Sequence, residues 1–377
     1  MPDPDAVSAL IYLASCAVNG AVPEPTRVRA MDLPSVYREA ERQMLTAAAA
    51  AALSSAGIAD PAFTESYAKA VRKAALLDAE YAALREELEA AGIWYLPLKG
   101  IVLQRDYPRL GLRQMSDVDV LIDAARAAEV RDIMLRRGFT AESFGRDFHD
   151  VYHKPPVCSF EIHTSLFSPV YTPEIRDYYA RIEGRLLPDE GRTYGRRLSD
   201  EDFYIYLLAH EHKHYSMEGT GLRALMDTYV FLQKHGAALD RAYVAAELKK
   251  LGLTDFEARN RALALDLFGG KPLSDEEARM LDYMAGSGVY GSRETRISNA
   301  VSEEGAARYA LRRAFLSMFY VKKAYPWFYE HKAALPLLPF YRLWLGLTRR
   351  RGRMKAELTG LFRQKRNDRR GKPGPGV

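Results

Sequence analysis

Apolar and polar positions change their period twice along the chain. Residues 6–91 carry strong helix formers: "AERQMLTAAAAAALSSAG" and "SYAKAVRKAALLDAEYAALREELEAAG" both end at a glycine. The second sets acids and bases three to four residues apart, as a solvated helix face does. The texture then shortens. "IWYLPLKG" is an apolar run closed by Lys-Gly and predicts a strand and a turn; "IVLQRDY" predicts a short helix and "DVDVLID" a strand. "AARAAEVRDIMLRRG" predicts a helix stopped by Gly138, and "DFHDVYHK" and "CSFEIHTSLF" predict strands joined as a hairpin across Pro155 and Pro156. From Ser199 the helical period returns, with Ser199 and Asp202 fitting a capping box ahead of "EDFYIYLLAHEHKHYS" and "GLRALMDTYVFLQKHG". The expected class is α+β: an N-terminal helical segment (1–91) packing on a small mixed-sheet core (92–198), then a helical domain (199–335) and a basic tail (336–377).

Composition narrows the function classes. With 377 residues, 48% of them hydrophobic, the chain can bury a sizeable core. The net charge of +5 hides an asymmetry: residues 341–377 hold twelve Lys/Arg against Glu357 and Asp368, so the tail carries +10 and the rest −5. An acidic body of this kind does not read as a general nucleic-acid-binding protein. Two cysteines, Cys16 and Cys158, offer no disulfide framework and no thiolate metal site, which suits a reducing cytoplasm. "SALIYLASCAV" follows Asp3 and Asp5 rather than the positive segment of a signal peptide, and no apolar run is long enough to span a bilayer.

One stretch breaks the core pattern. In "RQMSDVDVLI" (113–122) two aspartates flank Val118 inside an otherwise apolar strand. Side chains two apart on a strand share a face, so Asp117 and Asp119 point the same way. Carboxylates this close repel unless a cation neutralises them, and Mg²⁺ or Mn²⁺ beside nucleotide phosphates does so. An exposed edge strand with an acidic face is the bland alternative. Upstream, Lys99 and Gly100 mark a turn where glycine and a helix N-terminus suit a phosphate, and Arg113 adds charge for a triphosphate. Downstream, "SFEIHTS" puts Ser159, Glu161 and His163 on one strand face and Phe160 and Ile162 on the other.

"PLKG", "RQMSDVDVLI" and "FEIH" together resemble the polymerase-β-type nucleotidyltransferase superfamily, and within it a bacterial family of uncharacterised nucleotidyltransferases. The resemblance extends to His210, His214, Arg223 and Asp227 in "LLAHEHKHYSMEGTGLRALMDTY" and runs from about residue 70 to 270. Ile101 stands where the superfamily usually has serine, and Glu161 where the family commonly has aspartate. The resemblance implies a nucleotidyltransferase core that is cytoplasmic, Mg²⁺- or Mn²⁺-dependent and NTP-binding (ATP included). Asp117, Asp119 and Glu161 would be the catalytic metal ligands, and Lys99, Gly100 and Arg113 would hold the nucleotide. The cleft residues would be His163, His210, His214 and Arg223. The acceptor stays open: sugar, small molecule, peptide or RNA. Kinase-like phosphotransfer, toxin-like nucleotide addition to tRNA and a non-catalytic nucleotide-binding module are the alternatives.

Three features have competing readings. "HEHKH" contains His-Glu-x-x-His, but Met217 and Thr220 occupy the places where an extended zinc-protease motif needs glycine and histidine. His210 and His214 therefore either line the cleft or bridge helices. Arg223 and Asp227, four apart, form either an ordinary intrahelical pair or a phosphate contact. The tail, aromatic and then basic, reads as a solvated helix, a peripheral contact with the inner membrane, or a nucleic-acid contact.

Overall fold

The computed structural model describes residues 2–168, 171–291, 293–305, 308–309, 311 and 315–348. The basic cluster from residue 349 onward lies outside them. The chain divides into two compact units, one of residues 1–212 and 222–286, the other of 213–221 and 287–377.

The first unit opens with helices α1 (Pro4–Asn19), α2 (Pro25–Arg29), α3 (Leu33–Gln43), α4 (Thr46–Ser55) and α5 (Pro61–Ala91). The alanine run of α4 is buried from Thr46 to Leu53; its small side chains let α1, α3 and α5 approach closely. The long helix α5 has clear punctuation. Asp60 caps it by accepting from the Ala62 and Phe63 N–H groups, Pro61 fits its first turn, and Gly92 ends it in the left-handed region.

The sheet follows: β1 (Tyr95–Leu98), helix α6 (Gly100–Leu103), β2 (Val118–Ile122), helix α7 (Ala127–Arg136), β3 (Thr140–Ser143), β4 (His149–Lys154) and β5 (Cys158–His163). Spatial order is β1-β2-β5-β4-β3, with β2 and β5 parallel and every other pair antiparallel. Alternation gives the sheet two unlike faces. Val118, Val120, Ile122, Tyr152, Phe160 and Ile162 face the core with Leu77, Tyr81, Leu84 and Leu88 of α5 and Val130, Ile133 and Met134 of α7. The opposite face carries Asp119, Glu161 and His163.

After α8 (Pro173–Tyr179) and the short strand pair β6 (Leu187–Pro188) and β7 (Arg196–Arg197) come α9 (Asp200–Met217), α10 (Leu222–His235), α11 (Arg241–Lys250), α12 (Thr254–Phe268) and α13 (Asp275–Ser287). The N-terminal helices tie into this layer. Ser15 Oγ and Asn19 Nδ2 donate to the Phe268 carbonyl at 2.8 and 3.0 Å, and the Tyr229 hydroxyl donates to Asn19 Oδ1 at 2.6 Å. The second unit contains α14 (Arg293–Glu304), α15 (Met318–Ala324), α16 (Pro326–Glu330) and α17 (Leu338–Thr348). Among the described residues no helix is long and apolar enough to cross a membrane.

Candidate active site

The site forms where β2 and β5 run side by side. Their parallel register sets Asp119 directly against Glu161 and Leu121 against His163. Asp117 immediately precedes β2, two residues before Asp119. His163 Nε2 lies 2.9 Å from Asp119 Oδ1 and 3.6 Å from Glu161 Oε2. Among the described residues, Asp119, Glu161 and His163 are the group whose ligand atoms, all within 4.8 Å of one another, could share one metal ion.

Lys99 enters from the β1–α6 turn. Its Nζ donates to Asp119 Oδ1 at 2.8 Å, from a residue held at φ 46° and ψ −112°. A side chain in this region costs on the order of 1–3 kcal/mol, tolerated where the surroundings fix it. Gly100 leaves room for a neighbour: a Cβ there would sit 2.5 Å from Arg113 Nη1 and 3.1 Å from Met115 Sδ. Arg113 itself is buried. Its Nε and Nη2 donate to Asp227 Oδ1 and Oδ2 at 2.8 and 2.9 Å, and the Tyr107 hydroxyl donates to the same Oδ1 at 2.6 Å.

The loop that delivers Asp117 is pinned from several sides. Gln114 Oε1 accepts from Thr46 Oγ1 and the Ala47 N–H at the start of α4. Lys73 Nζ donates to the Ser116 carbonyl at 2.8 Å, and Arg223 Nη1 to the Gln114 carbonyl at 2.9 Å. Arg223 therefore does not spend its hydrogen bond on Asp227, as an intrahelical pair would; the partner of Asp227 is Arg113, 114 residues away.

Electrostatics separate the acids. Burial opposes ionisation of Asp119, but the Lys99 ammonium and the His163 hydrogen bond outweigh it and hold this carboxyl well below the usual range. Burial likewise works against Glu161, whose pKa is nevertheless lowered by the His163 hydrogen bond. Asp117 goes the other way: burial, then the carboxylates of Asp119 and Glu161, push it up to about 6 despite Lys99 and Arg223. Protonation of His163 is opposed by burial and favoured by its two carboxylate partners, with a net rise.

The histidines flagged in the sequence divide. His163 is in the acid cluster. His210 lies beside the Tyr206 ring, centroids 6.2 Å apart, and His214 Nδ1 is 3.1 Å from Glu218 Oε1. Glu211, the middle residue of the zinc-protease pattern, is buried among helices instead: Asn260 Nδ2 donates to it at 2.7 Å and Thr228 Oγ1 at 3.4 Å. That leaves the zinc-hydrolase pattern without its general base. Burial pushes Glu211 up to about 8 against the Asn260 hydrogen bond. Between roughly pH 4.3 and 8 the folded chain thus keeps a proton that the unfolded chain releases, and stability falls as pH rises through that window. Glu211→Gln retains the hydrogen-bonding shape and cannot ionise. Its melting midpoint is expected to exceed that of the parent by a margin that grows from pH 5 to pH 8. A margin that stays constant across those pH values contradicts this.

Two neighbours have no role in the sequence reading, which sets His149 on a hairpin and does not mention Tyr206. His149 on β4 pairs in register with His163, and its Nε2 lies 3.8 Å from Glu161 Oε2. Strand alternation across the hairpin is the signal that would have found it. Tyr206 of α9 is buried, its hydroxyl makes no hydrogen bond, and burial followed by the Asp119 and Glu161 charges raises its pKa well above the ordinary value. Its apolar helical spacing gave no hint of this.

A mixed sheet with one packed face, carboxylates gathered on the other and a cationic turn beside them is of the nucleotidyltransferase class. The family described as an uncharacterised nucleotidyltransferase matches residues 29–269, and the chain belongs to that family. Neither a curated protein nor a solved structure matches it.

Proposed function

We propose that the chain is a divalent-metal-dependent nucleotidyltransferase that moves a nucleoside monophosphate from an NTP, ATP foremost, to an acceptor hydroxyl and releases pyrophosphate. The observation that carries this reading is the register of Asp119 against Glu161 with Asp117 two residues upstream. The donor set suits Mg²⁺ or Mn²⁺: the oxygens are hard, and the repulsion from Asp119 and Glu161 that adds to burial in raising Asp117 is what a cation relieves. Asp119 and Glu161, whose oxygens lie close enough to share one ion, would hold it, with Asp117 joining from the loop before β2, and when bound it supplies charge neutralisation for phosphate oxygens.

The chain's own groups have distinct tasks in this reading. His163 fixes the rotamer of Asp119 through a 2.9 Å bond. Lys99 balances Asp119 and offers its ammonium to the donor phosphates. Arg113 works at one remove, holding the Asp117 loop against Asp227, with its Nη1 beside Gly100. In the transfer, the acceptor oxygen bonds to the α-phosphorus as the bond to pyrophosphate breaks. The hydroxyl proton passes to a carboxylate, Glu161 in this reading if it does not ligate the metal. The acceptor is a sugar, small molecule, peptide or RNA hydroxyl.

ATP labelled at the α- or γ-phosphate, incubated with purified protein, Mg²⁺ and a cell extract as acceptor pool, tests this. Incorporation of the α-label with stoichiometric pyrophosphate is expected. Transfer of the γ-label alone would make the enzyme kinase-like, incorporation only into tRNA would make it a tRNA modifier, and Mg²⁺-dependent binding without turnover would make it a binding module.

A further inference from the structure

In the second unit, α17 and the residue before it present an apolar stripe to solvent. Leu337, Phe340, Tyr341 and Trp344 stand at the i, i+3, i+4, i+7 spacing of one helix face and are all exposed, Phe340 to 72% and Trp344 to 53%. The flank of the same helix, about 100° round, is the one its own core uses: Leu338 packs with Val321 and Phe328, Leu345 is buried, and the Tyr341 ring reaches Phe328 at 5.4 Å. A helix that is only solvated would put polar side chains outward. Here the outward side chains are among the largest apolar ones in the chain, with Tyr341 and Trp344 stacked at 6.2 Å and exposed Trp327 stacked on His331 at 4.5 Å. Such a patch marks an interaction surface.

The charge pattern selects the occupant. Between His331 and Ala356 the sequence has no acid and seven basic residues: Lys332 and Arg342, then Arg349, Arg350, Arg351, Arg353 and Lys355 directly after α17. Aromatic and aliphatic side chains on one helix face, continued by a polybasic run, match an anionic bilayer, where the rings enter the headgroup region and the bases meet lipid phosphates. A second copy of the chain would instead bring two such basic segments together. We propose that the α17 face is a peripheral docking surface for anionic lipid membrane. It is independent of the acid cluster.

Co-sedimentation of the full chain with vesicles tests this, using phosphatidylcholine alone or one-third phosphatidylglycerol. Binding to the anionic vesicles is expected, with a blue shift of tryptophan emission, weakening in high salt and little binding to neutral vesicles. Phe340→Ser with Trp344→Ser should weaken it about tenfold or more, as should glutamine at Arg349, Arg350, Arg351 and Arg353. The serine variant alters only exposed side chains, so its melting midpoint should match the parent, and the glutamine variant is compared at a temperature where its melting curve shows it folded. The proposal is overturned if the parent does not sediment with anionic vesicles or if either variant binds as the parent does. It is equally overturned if the stripe instead mediates a concentration-dependent dimer that the serine variant dissolves.

Discussion

Asp119→Asn is expected to lower nucleotidyl transfer by about 10³-fold or more while leaving the chain folded. Asp119 is the point where the site's cationic and anionic groups meet: Lys99 at 2.8 Å, His163 at 2.9 Å and Glu161 beside it in register. Asparagine keeps an oxygen for both donors, so the packing survives, but the charge that would hold a cation is lost. The Lys99 ammonium and His163 then face one carboxylate fewer, so a modest drop in melting temperature accompanies the kinetic loss. Turnover with α-labelled ATP, measured beside a melting curve, separates the two effects. A variant retaining more than a tenth of parental activity would remove Asp119 from the machinery.

Arg113→Ala is expected to be the most destabilising single change near the site. The pair it breaks is bidentate and buried at both ends, and Asp227 would keep only the Tyr107 hydroxyl. Removing one partner of such a pair costs about 3–5 kcal/mol, since the remaining charge stays in a poor solvent for it. A shift in melting midpoint on the order of 10 °C follows. Arg113→Lys should recover only part of it, because an ammonium cannot reproduce the two-pronged contact. Nucleotide affinity separates the two roles open to Arg113. If it only positions the loop, the lysine variant binds NTP as the parent does at temperatures where it is folded; a direct phosphate contact would show as weakened binding there.

Local periodicity carried much of this structure in the sequence. Alternation in "VDVLI" and "SFEIH" was enough to set Asp119, and Glu161 with His163, away from the core, because a strand's two-residue period is a short-range property. The stop of α5 at Gly92 was legible for the same reason, whereas its start at Asp60 and Pro61, local signals too, went unread. What the sequence hid is long-range. Nothing local says that β2 pairs in parallel with β5 while β1 takes the edge, or that Asp227 is reserved for Arg113 rather than Arg223 four residues away. Glu211 shows the same limit. Met217 and Thr220 set its zinc motif aside, but only the packing of Asn260 and Thr228 shows that the side chain is held in the helical interior.

A crystal structure of the full chain with Mn²⁺ and a non-hydrolysable ATP analogue, with the metal located by anomalous scattering, most directly tests whether the three carboxylates form one cation site. Density for manganese touching oxygens of Asp117, Asp119 and Glu161, with the nucleotide phosphates on the same ion, is the expected result. Bound nucleotide with that cluster empty, or manganese held instead by His210 or His214, would contradict it.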